Sequence, residues 1–113
     1  MNQLGRDAES RAARFLHAQG LQIVERNWHC RFGEIDLVAR DGRTLVFVEV
    51  RARASRSRGG AAESISTAKR RRLTATAGFY LARCRSDQPC RFDALLIEAE
   101  GRIEWIRNAF DAT

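Results

Sequence analysis

Apolar residues recur three or four positions apart at the start of the chain, at Leu4, Ala8, Ala12, Phe15 and Leu16. Glu9 and Arg6 lie off that row, and Gly20 is a good helix stop. The pattern predicts an amphipathic helix over residues 5–19. The period then changes to two. Leu21 to Trp28 reads as a strand, and GEIDLVAR (33–40) and RTLVFVEVRAR (43–53) alternate around Asp41-Gly42, a strong hairpin signal. These two strands are expected to pair antiparallel. Residues 54–60 (ASRSRGG) have loop composition, and residues 63–83 return to helical spacing. Beyond Pro89, RFDALLIE (91–98) reads as a highly apolar strand. Glu100-Gly101 makes a turn, and RIEWI (102–106) is a short last strand, with no readable pattern from there to Thr113. The order α-β-β-β-α-β-β predicts one mixed sheet layer flanked by helices, an α/β (α+β) sandwich, in a single domain over residues 1–113.

The hairpin brings candidate chemistry together. A two-residue Asp41-Gly42 turn pairs Arg40 with Arg43, so Glu34 faces Glu49 and Asp36 faces Phe47. Side chains alternate faces along a strand. Glu34, Asp36, Glu49 and Arg51 therefore share one face, and Ile35, Leu37, Val46, Val48 and Val50 form the opposite, core face. Asp36 and Glu49 are diagonal neighbours with backbones about 7–8 Å apart. Three acids crowded on one face repel, and a hard divalent cation such as Mg²⁺ or Mn²⁺ offsets that repulsion by taking carboxylate oxygens and waters. The bland alternative is a solvated polar face with a few surface ion pairs.

Composition and charge narrow the field. With 44% hydrophobic and 30% charged residues, the 113-residue chain is an ordinary globular protein. A formal net charge of +6 points to a polyanionic partner, nucleic acid before others. Nearly all the cations are arginines, and Lys69 is the only lysine. Cys30, Cys84 and Cys90 include no CxxC pair, which argues against zinc or a disulfide framework and for a reducing cytoplasm. The start MNQLGRDAES lacks the apolar core of a signal peptide, and no apolar run approaches the ~20 residues needed to cross a bilayer.

From Asp36 through Glu49-Val50-Arg51 the chain resembles the PD-(D/E)xK nuclease signature: an acid, about a dozen residues, then Glu-x-Lys. More closely it resembles the YraN-like family of uncharacterised bacterial proteins. The matching stretches are GEIDLVARDGRTLVFVEVRAR, GGAAESI, Lys69 with its basic run, RFDALLIE followed by IEWIRNAF, and an early helix bearing Glu9. The resemblance implies a restriction-endonuclease-like core, similar to Holliday-junction resolvases, and a role in nucleic-acid metabolism. It implies Asp36 and Glu49 as ligands of Mg²⁺ or Mn²⁺, with the Val50 carbonyl and Glu9 as further ligands, and a homodimer as the assembly of junction-cutting relatives. The departure is Arg51, which stands where the signature has lysine. Arginine does not deprotonate, so it can bind a phosphate but not relay a proton.

The second helix offers a compensation. At 100° per residue, Ile65, Leu73, Thr76, Phe79 and Tyr80 form one stripe that also contains Lys69 and Arg72, while Arg70 and Arg71 fall outside it. A cation on a core-facing stripe either snorkels to the rim or points at something anionic. The segment 51–72 carries Arg51, Arg53, Arg56, Arg58, Lys69, Arg70, Arg71 and Arg72 against the single acid Glu63, the charge pattern of a phosphate clamp. His17 and His29 are isolated, Trp28 and Trp105 are expected in the core, and Asp93 has no motif partner. Three readings stand together: a metal-dependent endonuclease acting on branched or single-stranded DNA, a nucleic-acid-binding module that keeps the fold without cleaving, and an interaction protein whose acidic face meets a protein partner.

Overall fold

In the computed structural model, which describes residues 3–53, 65–84 and 88–111, the chain runs α1 (Gln3–Ala18), β1 (Gln22–Cys30), β2 (Gly33–Asp41), β3 (Thr44–Arg53), α2 (Thr67–Cys84), β4 (Cys90–Glu98) and β5 (Ile103–Phe110). The element order is the one the hydrophobic periods predict. All five strands form one sheet in sequence order, with β3 and β4 parallel and the other neighbours antiparallel. The parallel step needs a crossover, and α2 supplies it.

The sheet is covered on both faces. Ala8, Ala12, Ala13 and Leu16 of α1 pack with Leu37, Ala39, Val46, Val48, Leu95 and Ile97. Leu73, Ala77 and Tyr80 of α2 pack with Ile35, Val38, Leu45, Phe47, Phe92 and Leu96. The expectation of one core face and one polar face across the β2–β3 hairpin is thus corrected. Leu45 and Phe47 are as buried as Val46 and Val48, because a helix lies on each side and a strand between two helices is apolar throughout. Glu34, Asp36 and Glu49 sit together at one end of the hairpin, where a cleft opens on the α2 side.

The hairpin register is also corrected. Asp41 pairs with Thr44 and Leu37 with Val48, so the turn centres on Gly42-Arg43 rather than Asp41-Gly42. Gly42 takes φ +62°. Glycine alone at the first central position suits a type II′ turn, whereas centring on Asp41 demands positive φ from a residue with a Cβ. The slip is two residues, so each side chain keeps its face. β5 reaches Phe110, four residues past its expected end. Among the described residues no helix is long and apolar enough to cross a membrane.

Candidate active site

Strand β2 breaks its alternation at Asp36. Ile35 packs on the α2 side of the sheet and Leu37 on the α1 side, although strict alternation puts both on one face. The β1–β2 ladder pairs Arg26 with Leu37 and Trp28 with Ile35, passing over Asn27 and Asp36, and Asn27 adopts φ 54°. Pairing with β3 starts only at Leu37. Beyond that point the two strands no longer share a ladder. The Val50 amide there donates instead to Asp36 Oδ2 at 2.8 Å. That bond seats the Asp36 carboxylate beside β3, one residue from Glu49.

Helix α2 closes the other wall. Ser66 caps it, its hydroxyl accepting the Lys69 N–H at 3.1 Å. The cap sets Lys69 in the first turn, where Nζ lies 2.5 Å from Glu49 Oε2. Arg51 Nη1 approaches the same oxygen at 3.8 Å. Gly33, Glu34, Asp36, Glu49, Val50, Lys69, Arg72 and Leu73 line a cleft of about 300 Å³. Gly33 lets the helix come this close. A Cβ there would stand 3.1 Å from Thr76 Oγ1, and φ is +156°.

The electrostatics are lopsided. Burial, then the Glu49 charge, push Asp36 from 3.8 to about 7. Glu9 and Glu34 push the same way, and the Val50 N–H only partly opposes them. Glu9 reaches the site from α1 on the opposite face, is 5% exposed, and its Oε1 is buried without a hydrogen-bond partner among the described residues. Lys69 engages Glu49, which leaves this buried acid excess short of positive charge. A divalent cation fits such a donor set, since Mg²⁺ binds through one or two carboxylates and keeps several waters. Among the described residues no three His, Cys, Asp or Glu side chains group closely enough to hold one ion directly. Asp36 and Glu49 are the two carboxylates that could hold such an ion directly, and Glu9 could contribute only through its field or a water.

The expected site residues divide. Asp36, Glu49, Val50, Lys69, Arg72 and Glu34 meet in the cleft, and Arg51 reaches it through Glu49. Arg70 and Arg71 line a separate open groove of about 890 Å³ with Thr67, Thr74, Phe110 and Asp111. Arg70 Nε bonds the Ile65 carbonyl at 3.1 Å. Arg53 ends β3, and Arg56 and Arg58 lie outside the described residues, as do residues 63 and 64 of the expected second helix. Sequence reasoning missed Asp93. It is buried and accepts bonds from Arg91 Nε at 3.0 Å, Trp105 Nε1 at 2.9 Å and the Asn108 amide at 2.9 Å. The signal was there: an acid inside an apolar strand, two residues from an arginine. Its work is structural, holding β5 to β4 where their register shifts. Trp28 and Trp105 pack against the core as expected.

Comparison with known proteins adds relatives. The model of uncharacterised protein family UPF0102 matches residues 8–97. A UPF0102 protein of Nitrosomonas eutropha is 58% identical over 107 residues, covering 95% of this chain and 92% of its own. One from Methylobacillus flagellatus is 55% identical over 115 residues, covering 99% and 100%. One from Ectopseudomonas mendocina is 48% identical over 115 residues, covering 98% and 97%.

Proposed function

The chain belongs to uncharacterised protein family UPF0102, the YraN-like group that its sequence resembles, and from that premise we propose that it is a metal-dependent endonuclease-like protein acting on DNA. The observation that carries this reading is the meeting of Lys69 with Glu49 beside Asp36 in one cleft. The strand position after Glu49-Val50 holds arginine, and α2 brings the chain's single lysine to the same carboxylate.

Asp36 and Glu49 would hold Mg²⁺ or Mn²⁺. The chemistry such an ion supplies when bound is a more acidic water and a neutralised phosphate. Glu9 and Glu34 deepen the negative field that draws the cation in. Lys69 and Arg51 steer Glu49 and present positive charge to the phosphoryl oxygens as the P–O bond breaks. Arg72, exposed at the cleft mouth, positions the incoming backbone. Four consecutive cations, Lys69 to Arg72, stand in the first turns of α2. The helix dipole disfavours a cation in the first turn, such as Lys69, by about 0.3–1 kcal/mol and falls off beyond it, and a bound polyanion relieves that cost. Three free cysteines suit a cytoplasmic setting.

A second reading is a nucleic-acid-binding module that does not cleave, and Arg51 favours it. The two separate by incubation with labelled four-way junction, flap, single-stranded and duplex DNA in Mg²⁺ or Mn²⁺, beside Asp36→Ala and Lys69→Ala. Metal-dependent cutting that both substitutions abolish is the expected result. Binding that metal leaves unchanged, with no cutting, belongs to the second reading.

A further inference from the structure

The turn joining β1 to β2 carries a residue that turn chemistry does not explain. Cys30 pairs with Gly33, which leaves Arg31-Phe32 as a two-residue tip. Such tips favour Gly, Asn, Asp or Ser. Phe32 is instead 38% exposed, one of two large exposed hydrophobic side chains among the described residues. It is also braced. Its ring meets Phe79 of α2 edge-on at 5.9 Å, and Phe79 lies 6.3 Å from Trp28. Trp28 meets Tyr80 at 5.0 Å, and Tyr80 meets Phe47 at 5.9 Å. A chain of rings thus runs from the core to the surface and ends at Phe32, with the Arg31 guanidinium 5.0 Å from the Phe32 ring centroid.

The position bears on the cleft. Phe32 immediately precedes Gly33 and Glu34, which line it. Its brace, Phe79, lies seven residues along α2 from the cleft residue Arg72, about 10 Å at a helical rise of 1.5 Å per residue. That is about three nucleotides of a stacked strand. A rigid aromatic face paired with a guanidinium is the equipment that binds unstacked bases without reading their sequence.

We propose that Phe32, backed by Phe79 and accompanied by Arg31, is a stacking platform for an unpaired base of the strand whose backbone enters the acidic cleft. The inference rests on the nucleic-acid reading of that cleft and names its substrate class: DNA with unpaired bases, whether a single strand or the branch of a junction. Fully paired duplex offers no free base face and gains nothing from Phe32.

The test is binding by the full chain, in EDTA so that nothing is cut, to oligonucleotides carrying 2-aminopurine at successive positions. Single strand, four-way junction and blunt duplex are compared for the unaltered chain, Phe32→Ala and Phe32→Leu. Leucine keeps the apolar contact with Phe79 and removes the aromatic face. Expected are quenching of one 2-aminopurine position by the unaltered chain, and a loss of single-strand and junction affinity of roughly tenfold in both variants, the share of one base stack. Duplex affinity stays the same. Unchanged single-strand and junction affinity in Phe32→Leu overturns the proposal and leaves the nuclease reading intact, as does an equal loss on duplex. Absence of binding to all three DNAs by the unaltered chain overturns both.

Discussion

The folded environment of Asp36 takes it far from its solution chemistry. Its carboxyl rises from 3.8 to about 7, through burial first and the Glu49 charge second. In the unfolded chain the group ionises near pH 4. Between those values the folded protein binds the proton that the unfolded chain has lost. Asp36 therefore costs no stability below pH 3.8, and its penalty grows as pH rises and is complete above 7. Asp36→Asn in metal-free buffer is expected to raise the thermal midpoint at pH 8, by a gain on the order of 1–3 kcal/mol, and to leave it nearly unchanged at pH 3.5. Equal effects at the two pH values would contradict this origin. At this scale the sequence was informative about which acids matter and silent about their protonation. Alternation put Asp36 and Glu49 on one face, but burial and the approach of Glu9 from α1 are products of packing. Glu9 entered by resemblance alone, since nothing in its local spacing ties it to the hairpin.

Helix α2 and the hairpin form the element pair that builds the cleft. Their contact depends on Gly33, where an added Cβ would press on Thr76 Oγ1 at a positive φ. Gly33→Ala is expected to destabilise by more than about 1 kcal/mol. It should also loosen the Lys69–Glu49 pair, seen as a smaller penalty from a subsequent Lys69→Ala in a double-mutant cycle. Strictly additive effects would place the two contacts in independent parts of the fold. Element types and order were legible because the periods are clean, 3.6 in the helices and 2 in the strands. The hairpin register was not, because Asp41-Gly42 and Gly42-Arg43 are rival turn centres, both with Gly42 at positive φ, and only the backbone conformation of Asp41, which is not at positive φ, decides between them. The length of β5 was hidden for a related reason. Asn108 takes φ 53° where the β4–β5 register shifts, which breaks the alternation that marks a strand. The kink at Asp36 was hidden likewise, since two strands that skip a pair leave no trace in hydrophobic spacing.

The whole molecule is a sheet sealed by a helix on each face, with Glu34, Asp36 and Glu49 gathered in a cleft at one end of the α2 side and a net charge of +6 overall. Outside the acidic cleft the cations dominate, so DNA binding should be driven largely by counterion release. Affinity is expected to fall linearly in log–log form as salt rises, with a slope of about −0.7 to −0.9 per phosphate engaged, and Arg72→Ala should reduce that slope by about one contact's worth. Salt-independent affinity would point to a protein partner instead. The most direct measurement is a calorimetric titration of the full chain with Mn²⁺, run beside Asp36→Asn and Glu49→Gln. The expected result is one ion per chain in the unaltered protein, lost in both variants while each stays folded by circular dichroism. Absence of Mn²⁺ binding at millimolar concentration, or binding that survives both substitutions, would contradict a shared cation between Asp36 and Glu49.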